Sequence, residues 1–359
     1  MLTRREFSAM AALAPAISKT EGPNVLVLLP DPLRAQAVGC YGNSELQRPH
    51  VDRLAREGLR FENTLANTPV CCAARAVLLT GQYCHRNGMT ANDLRLKESS
   101  VTLSSVLRGA GYRTVFVGKW HLDGGPRLPG FVPPGPRRHG FEFWAANECS
   151  HQHFRNTYFR DTPEPLPVRD FEPEGWTDLA LEFLEGSKRD GRPFFLTVQM
   201  GPPHDPYGAP EEYMKRYPVE RVTLRKNHPG ERAGLAGRKE LGAYYAAVTA
   251  IDDQVGRMMK ALDDAGMAED TLVLYSSDHG DMLGSQGLPL KRKPWEESIR
   301  VPGIVRYPRQ VKAGRVSRAL FSHVDFAPTL LRLCGAEAPR GMQGADLSEV
   351  VTGRSEQGP

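Results

Sequence analysis

Apolar positions recur along this chain in two alternating rhythms, and those rhythms set the fold class. Asn24-Val25-Leu26-Val27-Leu28-Leu29 is an unbroken apolar run stopped by Pro30, the pattern of a strand buried on both faces. Residues 114–117, 194–199 and 271–276 repeat that character. Elsewhere the spacing changes to threes and fours: Tyr244, Val248, Ile251, Val255, Met258 and Leu262 predict a long amphipathic helix over 240–265. Shorter helices are expected at 51–57, from Cys71 onward, at 103–110 and at 326–334, the last with Pro328 near its start. Strands alternating with helices predict an α/β sandwich with a largely parallel central sheet flanked by helices. Residues 124–138, rich in Gly, Pro and Arg, read as a surface loop, as do 225–239, and no internal repeat is evident.

In such sheets ligands settle at the carboxyl ends of the strands. Asp31 follows the first run, Lys119 and His121 the second, His204 the third, and Asp278 with His279 the fourth. Any one of these taken alone is more often a capping or hydrogen-bonded core residue. Four strand ends that each offer charge or imidazole point to a shared site. Residues 69–81, Pro-Val-Cys-Cys-Ala-Ala-Arg-Ala-Val-Leu-Leu-Thr-Gly, approach from another direction. Cys71 opens a helix-compatible stretch with Arg75 one turn on, so its side chain sits where unpaired backbone N–H groups point. On residue chemistry alone this is either an activated thiolate or a buried cysteine pair beside a structural ion pair.

Composition narrows the partners. With 359 residues, 40% apolar and 25% charged, the chain has the make-up of an ordinary globular protein. A formal charge of +4, without a basic run interleaved with aromatics, gives no reason to expect nucleic acid. The six cysteines show neither zinc-type spacing nor the density of a disulfide scaffold. Residues 1–20 carry Thr3-Arg4-Arg5-Glu6-Phe7 ahead of a short, weakly apolar run ending at Ile17, a twin-arginine export pattern. That run is too short to span a bilayer, and no later run approaches ~20 apolar residues. The expectation is a periplasmic or secreted protein without a stable membrane anchor, exported folded, which suits an enzyme whose cysteine is modified first.

Several stretches carry a resemblance. Gly39-Cys40-Tyr41-Gly42 is followed by Cys71-x-Ala73-x-Arg75 running into Ala76-Val77-Leu78-Leu79-Thr80-Gly81, then by Gly111-Tyr112-Arg113-Thr114 and Gly118-Lys119-Trp120-His121. Pro203-His204-Asp205-Pro206, Ser277-Asp278-His279-Gly280, Glu296-Glu297-Ser298-Ile299-Arg300-Val301-Pro302 and Ser322-His323-Val324-Asp325-Phe326-Ala327-Pro328-Thr329 complete the order. From Pro23 to Gly344 the chain resembles the type I, formylglycine-dependent sulfatases of the alkaline phosphatase superfamily. The resemblance implies an alkaline-phosphatase-like sandwich, with a catalytic domain over 21–347 and a tail over 348–359. It implies that a maturation enzyme oxidises Cys71 to formylglycine, whose hydrate attacks the sulfur of a sulfate ester. A divalent cation, Ca²⁺ with Mg²⁺ as the other candidate, would be held by Asp31, the group at Cys71, Asp278 and His279. Arg75 and Lys119 would hold the nucleophile, Lys291 and His204 would contact the sulfate and its leaving oxygen, and His121 would act as base. Lys291 also reads as part of a plain basic loop; its spacing to Glu296-Glu297 favours it over Lys293. The substrate implied is a small-molecule or oligosaccharide sulfate ester. The alternatives are a phosphonate monoester or phosphodiester hydrolase of the same superfamily, and a catalytically impaired, sulfatase-like binding protein.

Three departures accompany the resemblance. Pro32 stands where the family commonly offers a second carboxylate or amide, so one metal contact is missing. Ala73 and Ala74 stand where Pro and Ser are usual. Relatives generally continue into a smaller antiparallel subdomain, which is expected to be mostly absent here. His139-Gly140-Phe141 and the run 147–158, with His151, His153, Asn156 and Tyr158, either line the leaving-group pocket or form a surface excursion.

Overall fold

The computed structural model describes residues 22–46, 49–187, 191–230 and 236–358. The export pattern expected over 1–20 lies outside them. Eleven strands are present among the described residues: β1 (Asn24–Asp31), β2 (Leu59–Leu65), β3 (Arg113–Lys119), β4 (Phe143–Asn147), β5 (Thr157–Tyr158), β6 (Leu166–Pro167), β7 (Phe194–Pro203), β8 (Thr271–Tyr275), β9 (Arg300–Val301), β10 (Ile304–Arg306) and β11 (Arg315–Ser322). The main sheet runs β11-β2-β10-β8-β1-β7-β3-β4, with β9 also on β2 and a separate β5-β6 pair. From β8 through β4 every pairing is parallel, as is β2 with β11; β10 is antiparallel to both its neighbours.

The apolar run that predicted β1 explains its central place. Val25, Val27 and Leu29 enter one core with Cys72, Ala76 and Leu79 of α2 (Cys71–Thr80), Leu107 of α3 (Leu103–Gly109), and Phe326 and Leu330 of α6 (His323–Leu333). Leu26 and Leu28 enter the other, with Leu54 of α1 (Pro49–Glu57), Trp176 and Phe183 of α4 (Glu172–Ser187), and Tyr244, Val248 and Ile251 of α5 (Arg238–Asp264). Alternation on one strand thus glues helices to both faces, at roughly 1.5–3 kcal/mol for each large side chain fully buried. Gly118 lets β3 approach β7 closely: its φ is +109°, and a Cβ there would collide with the Gln199 carbonyl.

Several expectations change. Strand β7 runs on to Pro203, because its whole length is buried. The helix expected at 326–334 begins at His323, where Ser322 and Asp325 form a capping box, so Pro328 lies well inside it. The tail expected over 348–359 opens with a helix, Ser348–Thr352, whose Val350 and Val351 are buried in the first core. The 124–138 loop is anchored by buried Arg138, stacked 4.9 Å from the Trp144 ring. Within the other expected loop, Asn227 bonds Glu297, and α5 already starts at Arg238. Strands β2, β4 and β11 were not foreseen, because charged residues interrupt β2 and β11 and β4, Phe-Trp-Ala-Ala-Asn, has no β-branched residue. No strand follows α6 among the described residues, and no described helix is long and apolar enough to cross a membrane.

Candidate active site

The carboxyl ends of β1, β3, β7 and β8 face the first turn of α2, which brings Asp31, Lys119, His204, Asp278 and His279 around Cys71. Helix α2 starts at Cys71 with no side-chain cap from Val70, and Gly81 closes its far end at φ +59°. Its first-turn N–H groups therefore lend positive potential to position 71. Cys71 is only 1% exposed. Burial raises its thiol pKa, but Lys291, Lys119 and His279 pull it well below the ordinary value. Whatever stands at position 71 is thus favoured as an anion.

Arg75, one turn along α2, is equally buried and ties the strand ends together. Its Nη1 donates to the Lys119 carbonyl (2.6 Å) and to Gln199 Oε1; its Nη2 donates to Asp31 Oδ2 (3.2 Å) and Asp278 Oδ2 (3.0 Å). Lys119 Nζ adds a 2.6 Å bond to Asp31 Oδ2. Against its burial, Lys119, His204 and His279 hold Asp31 well below the carboxylate range. Asp278 goes the other way, to about 6, through burial and the Asp31 charge.

The outer oxygens of the two carboxylates serve the cations, while the inner ones turn toward His279 and Cys71. His279 Nε2 lies 3.5 Å from Asp31 Oδ1, 3.9 Å from Asp278 Oδ1 and 3.2 Å from Cys71 Sγ. Donor atoms of Asp31, Cys71, Asp278 and His279 all lie within 4.8 Å of one another. Two fully buried carboxylates crowded to the point where one is pushed to about 6 form a donor set that a divalent cation fits. Pro32, next to Asp31, has no side-chain donor to add.

His121 is held beside Cys71 in the left-handed region, φ +59°, with its N–H donated to the Glu148 carbonyl at 2.6 Å. Burial, then Lys119 and Arg75, lower its pKa, so the ring is neutral at neutral pH. Its Nε2 is 3.9 Å from Asp93 Oδ1, and Asp93 is itself gripped by Arg127 at 2.8 and 2.9 Å. On the opposite wall Lys291 Nζ donates to His204 Nε2, and His204 Nδ1 faces Asp205 (Oδ1 2.9 Å, carbonyl 2.8 Å). The Asp205 bond, working against burial, raises His204 to about 9. Lys291 is also raised, by the negative groups at Cys71 and Asp31 against its burial. Their short contact accommodates a single proton between the two nitrogens; once they part, both groups are held in the charged form at neutral pH, so His204 then carries a proton on Nε2.

All nine residues proposed from the sequence thus lie in one cluster. Of the undecided stretches, 147–158 joins it: the His151 ring stacks on His204 with centroids 4.1 Å apart, and His153 is buried behind. His139 stacks on Trp120 instead, and Phe141 packs in the core. Gln199, Asp93 and Asp205 were missed as site residues, and Glu148 was covered only as part of the undecided run 147–158. Of the missed three, Asp205, next to His204, and Gln199, at the end of an apolar run, carried a sequence signal.

The sulfatase family profile matches residues 23–336. The chain is 38% identical over 334 residues to the ulvan-active sulfatase of Formosa agariphila, an alignment that covers 92% of this chain and 65% of that protein. It is 28% identical over 431 aligned positions to the N-acetylglucosamine-6-O-sulfatase of Bacteroides thetaiotaomicron, covering 98% and 75%. The crystal structure of the YidJ protein of Bacteroides fragilis superposes with a TM-score of 0.89 at 32% identity, over 96% of this chain and 81% of the other. The strand-end cluster, the profile and these relatives agree, and the chain belongs to the sulfatase family.

Proposed function

We propose that this protein hydrolyses sulfate esters of carbohydrate alcohols at position 71. The convergence of Lys119, Lys291, Arg75 and the imidazoles of His121, His204 and His279 on a side chain that is itself favoured as an anion carries the reading. Oxidation of Cys71 to formylglycine by a maturation enzyme would supply the nucleophile as a hydrated aldehyde. Asp31, Asp278 and His279 would hold a Ca²⁺ or Mg²⁺ ion, which would neutralise sulfate charge when bound. The chain's own residues do the rest. Arg75 and Lys119 hold the nucleophile's surroundings rigid, the neutral ring of His121 takes its proton, and an arriving sulfate parts Lys291 from His204 so that both can donate to it. The names of the two sulfatase relatives above, one ulvan-active and one acting on N-acetylglucosamine, support a sugar as the alcohol. An exported location fits the twin-arginine pattern.

Turnover of paired aryl sulfates, sugar sulfates and phosphodiesters by protein co-expressed with a maturation enzyme tests the reading. Sulfate release from the sulfates is expected; faster phosphodiester cleavage would transfer the assignment to the phosphonate and phosphodiester hydrolases. Mass spectrometry of peptide 61–75 reads the state of Cys71 directly.

A further inference from the structure

His204 is held from behind by a buried chain of hydrogen bonds that none of the steps above uses. His153 Nε2 donates to the His204 carbonyl at 2.9 Å, and His153 Nδ1 pairs with Glu172 Oε1 at 3.0 Å. The other Glu172 oxygen accepts from Asn156 Nδ2. Asn156 Oδ1 in turn accepts from Asn147 Nδ2 (3.0 Å), at the end of β4, and from the Thr157 N–H (2.9 Å). The Glu172 N–H closes the loop on the His153 carbonyl at 2.8 Å. His153, Asn156 and Glu172 are 3%, 4% and 2% exposed, so each lost bond would strand a dry polar group. Strand β7 is bare where the carboxylate passes: a Cβ at Gly201 would overlap Glu172 Oε1, and the Gly201 carbonyl takes the His204 N–H at 3.2 Å.

We propose that Glu172 and His153 are a positioning pair that fixes the backbone of His204 so that its imidazole, stacked on His151, can protonate the leaving oxygen. This inference rests on the sulfatase reading and names the substrate class for which the pair matters. As the nucleophile's bond to sulfur forms, the bond from sulfur to the ester oxygen breaks, and that oxygen keeps the electron pair and takes the proton from His204. An alkyl or sugar alkoxide needs that proton; a nitrophenolate does not.

The test compares sugar sulfate with nitrophenyl sulfate in the matured enzyme. Glu172→Leu takes away the oxygens that meet His153 Nδ1 and Asn156 Nδ2, and Gly201→Ala displaces the carboxylate sterically. Both variants are expected to lose roughly 10–100-fold in kcat on N-acetylglucosamine sulfate, with KM unchanged, and less than about 3-fold on nitrophenyl sulfate. Glu172→Gln, whose amide oxygen still accepts from Asn156 while its N–H faces the His153 Nδ1 lone pair, is expected to keep the sugar sulfate rate. Equal losses on both esters, or no loss on the sugar ester, overturn the proposal. A crystal structure of Glu172→Leu decides independently of turnover: a displaced His204 ring supports the pair, and an unmoved one overturns it. Wild-type enzyme inert on both esters would overturn the sulfatase reading instead, and the crystallographic comparison would still decide the pair.

Discussion

Replacing Glu148 with glutamine should make stability less sensitive to pH. Glu148 is 4% exposed; its Oε1 accepts the Asp123 N–H at 3.0 Å, while Oε2 has no hydrogen-bond partner in the structure. Burial, and then the neighbouring Asp123 charge, raise its pKa from an ordinary 4.5 to about 8, although backbone N–H groups oppose the rise. The folded state therefore binds more protons than the unfolded chain between those two values. Stability from this group is complete below pH 4.5, falls as pH rises through the window and levels off above 8. At about 1.4 kcal/mol per pH unit inside the window, the loss between pH 5.5 and 8 is about 3 kcal/mol. Glu148→Gln keeps an acceptor for Asp123 and has no proton to lose. Urea denaturation of both proteins at pH 5.5, 7 and 8.5 should show the variant gaining about 3 kcal/mol on the wild type across the series. A difference constant to within about 0.5 kcal/mol would show that Glu148 is already ionised when buried, and the argument from its dry oxygen would fail.

Cys71→Ala is expected to abolish sulfate release while leaving the circular dichroism spectrum and denaturation midpoint unchanged; a variant with normal turnover would remove position 71 from the reaction. Arg75→Leu leaves two buried carboxylates short of their common partner and should cost about 3–5 kcal/mol in a denaturant titration. A loss below 1 kcal/mol would mean that Lys119 alone satisfies them. Pro32→Asp supplies the carboxylate that the family pattern offers and should tighten calcium binding in a calorimetric titration, whereas unchanged affinity would point to another donor already in place.

Much of this site was legible because strand-end chemistry is local in sequence. Each of Asp31, Lys119, His204 and Asp278 follows its apolar run within a few residues, and a parallel sheet brings such ends to one edge. The helix at Cys71 was legible for the same reason, from a mostly apolar segment, broken by Arg75 and closed by Gly81. Contacts made across the fold were not. Gln199 meets Arg75, and Glu148 meets the loop carrying His121, only through packing of separate elements. Strand β11 escaped notice because Arg315 and Arg318 break its apolar pattern; at the sheet edge Arg318 reaches solvent, while Arg315 donates to the Val350 and Val351 carbonyls. The capping box that moves the start of α6 to His323 was written in Ser322 and Asp325, a signal shorter than the apolar period that marked the rest of the helix.

The place of β2 has a consequence for biosynthesis. It is made early, yet the strands that pair with it, β9, β10 and β11, come from residues 300–322. At ~5–20 residues per second, a ribosome needs roughly 10–50 s to go from Arg75 to the end of β11. Until then one side of the sheet has no neighbours, and the segment after β2 that carries Cys71 is not yet sealed. In the finished protein that side chain is 1% exposed and beyond the reach of a second enzyme. If Cys71 is oxidised by a maturation enzyme as proposed, the oxidation belongs to the nascent chain, and the rate at which the last strands arrive sets how long the substrate cysteine stays available.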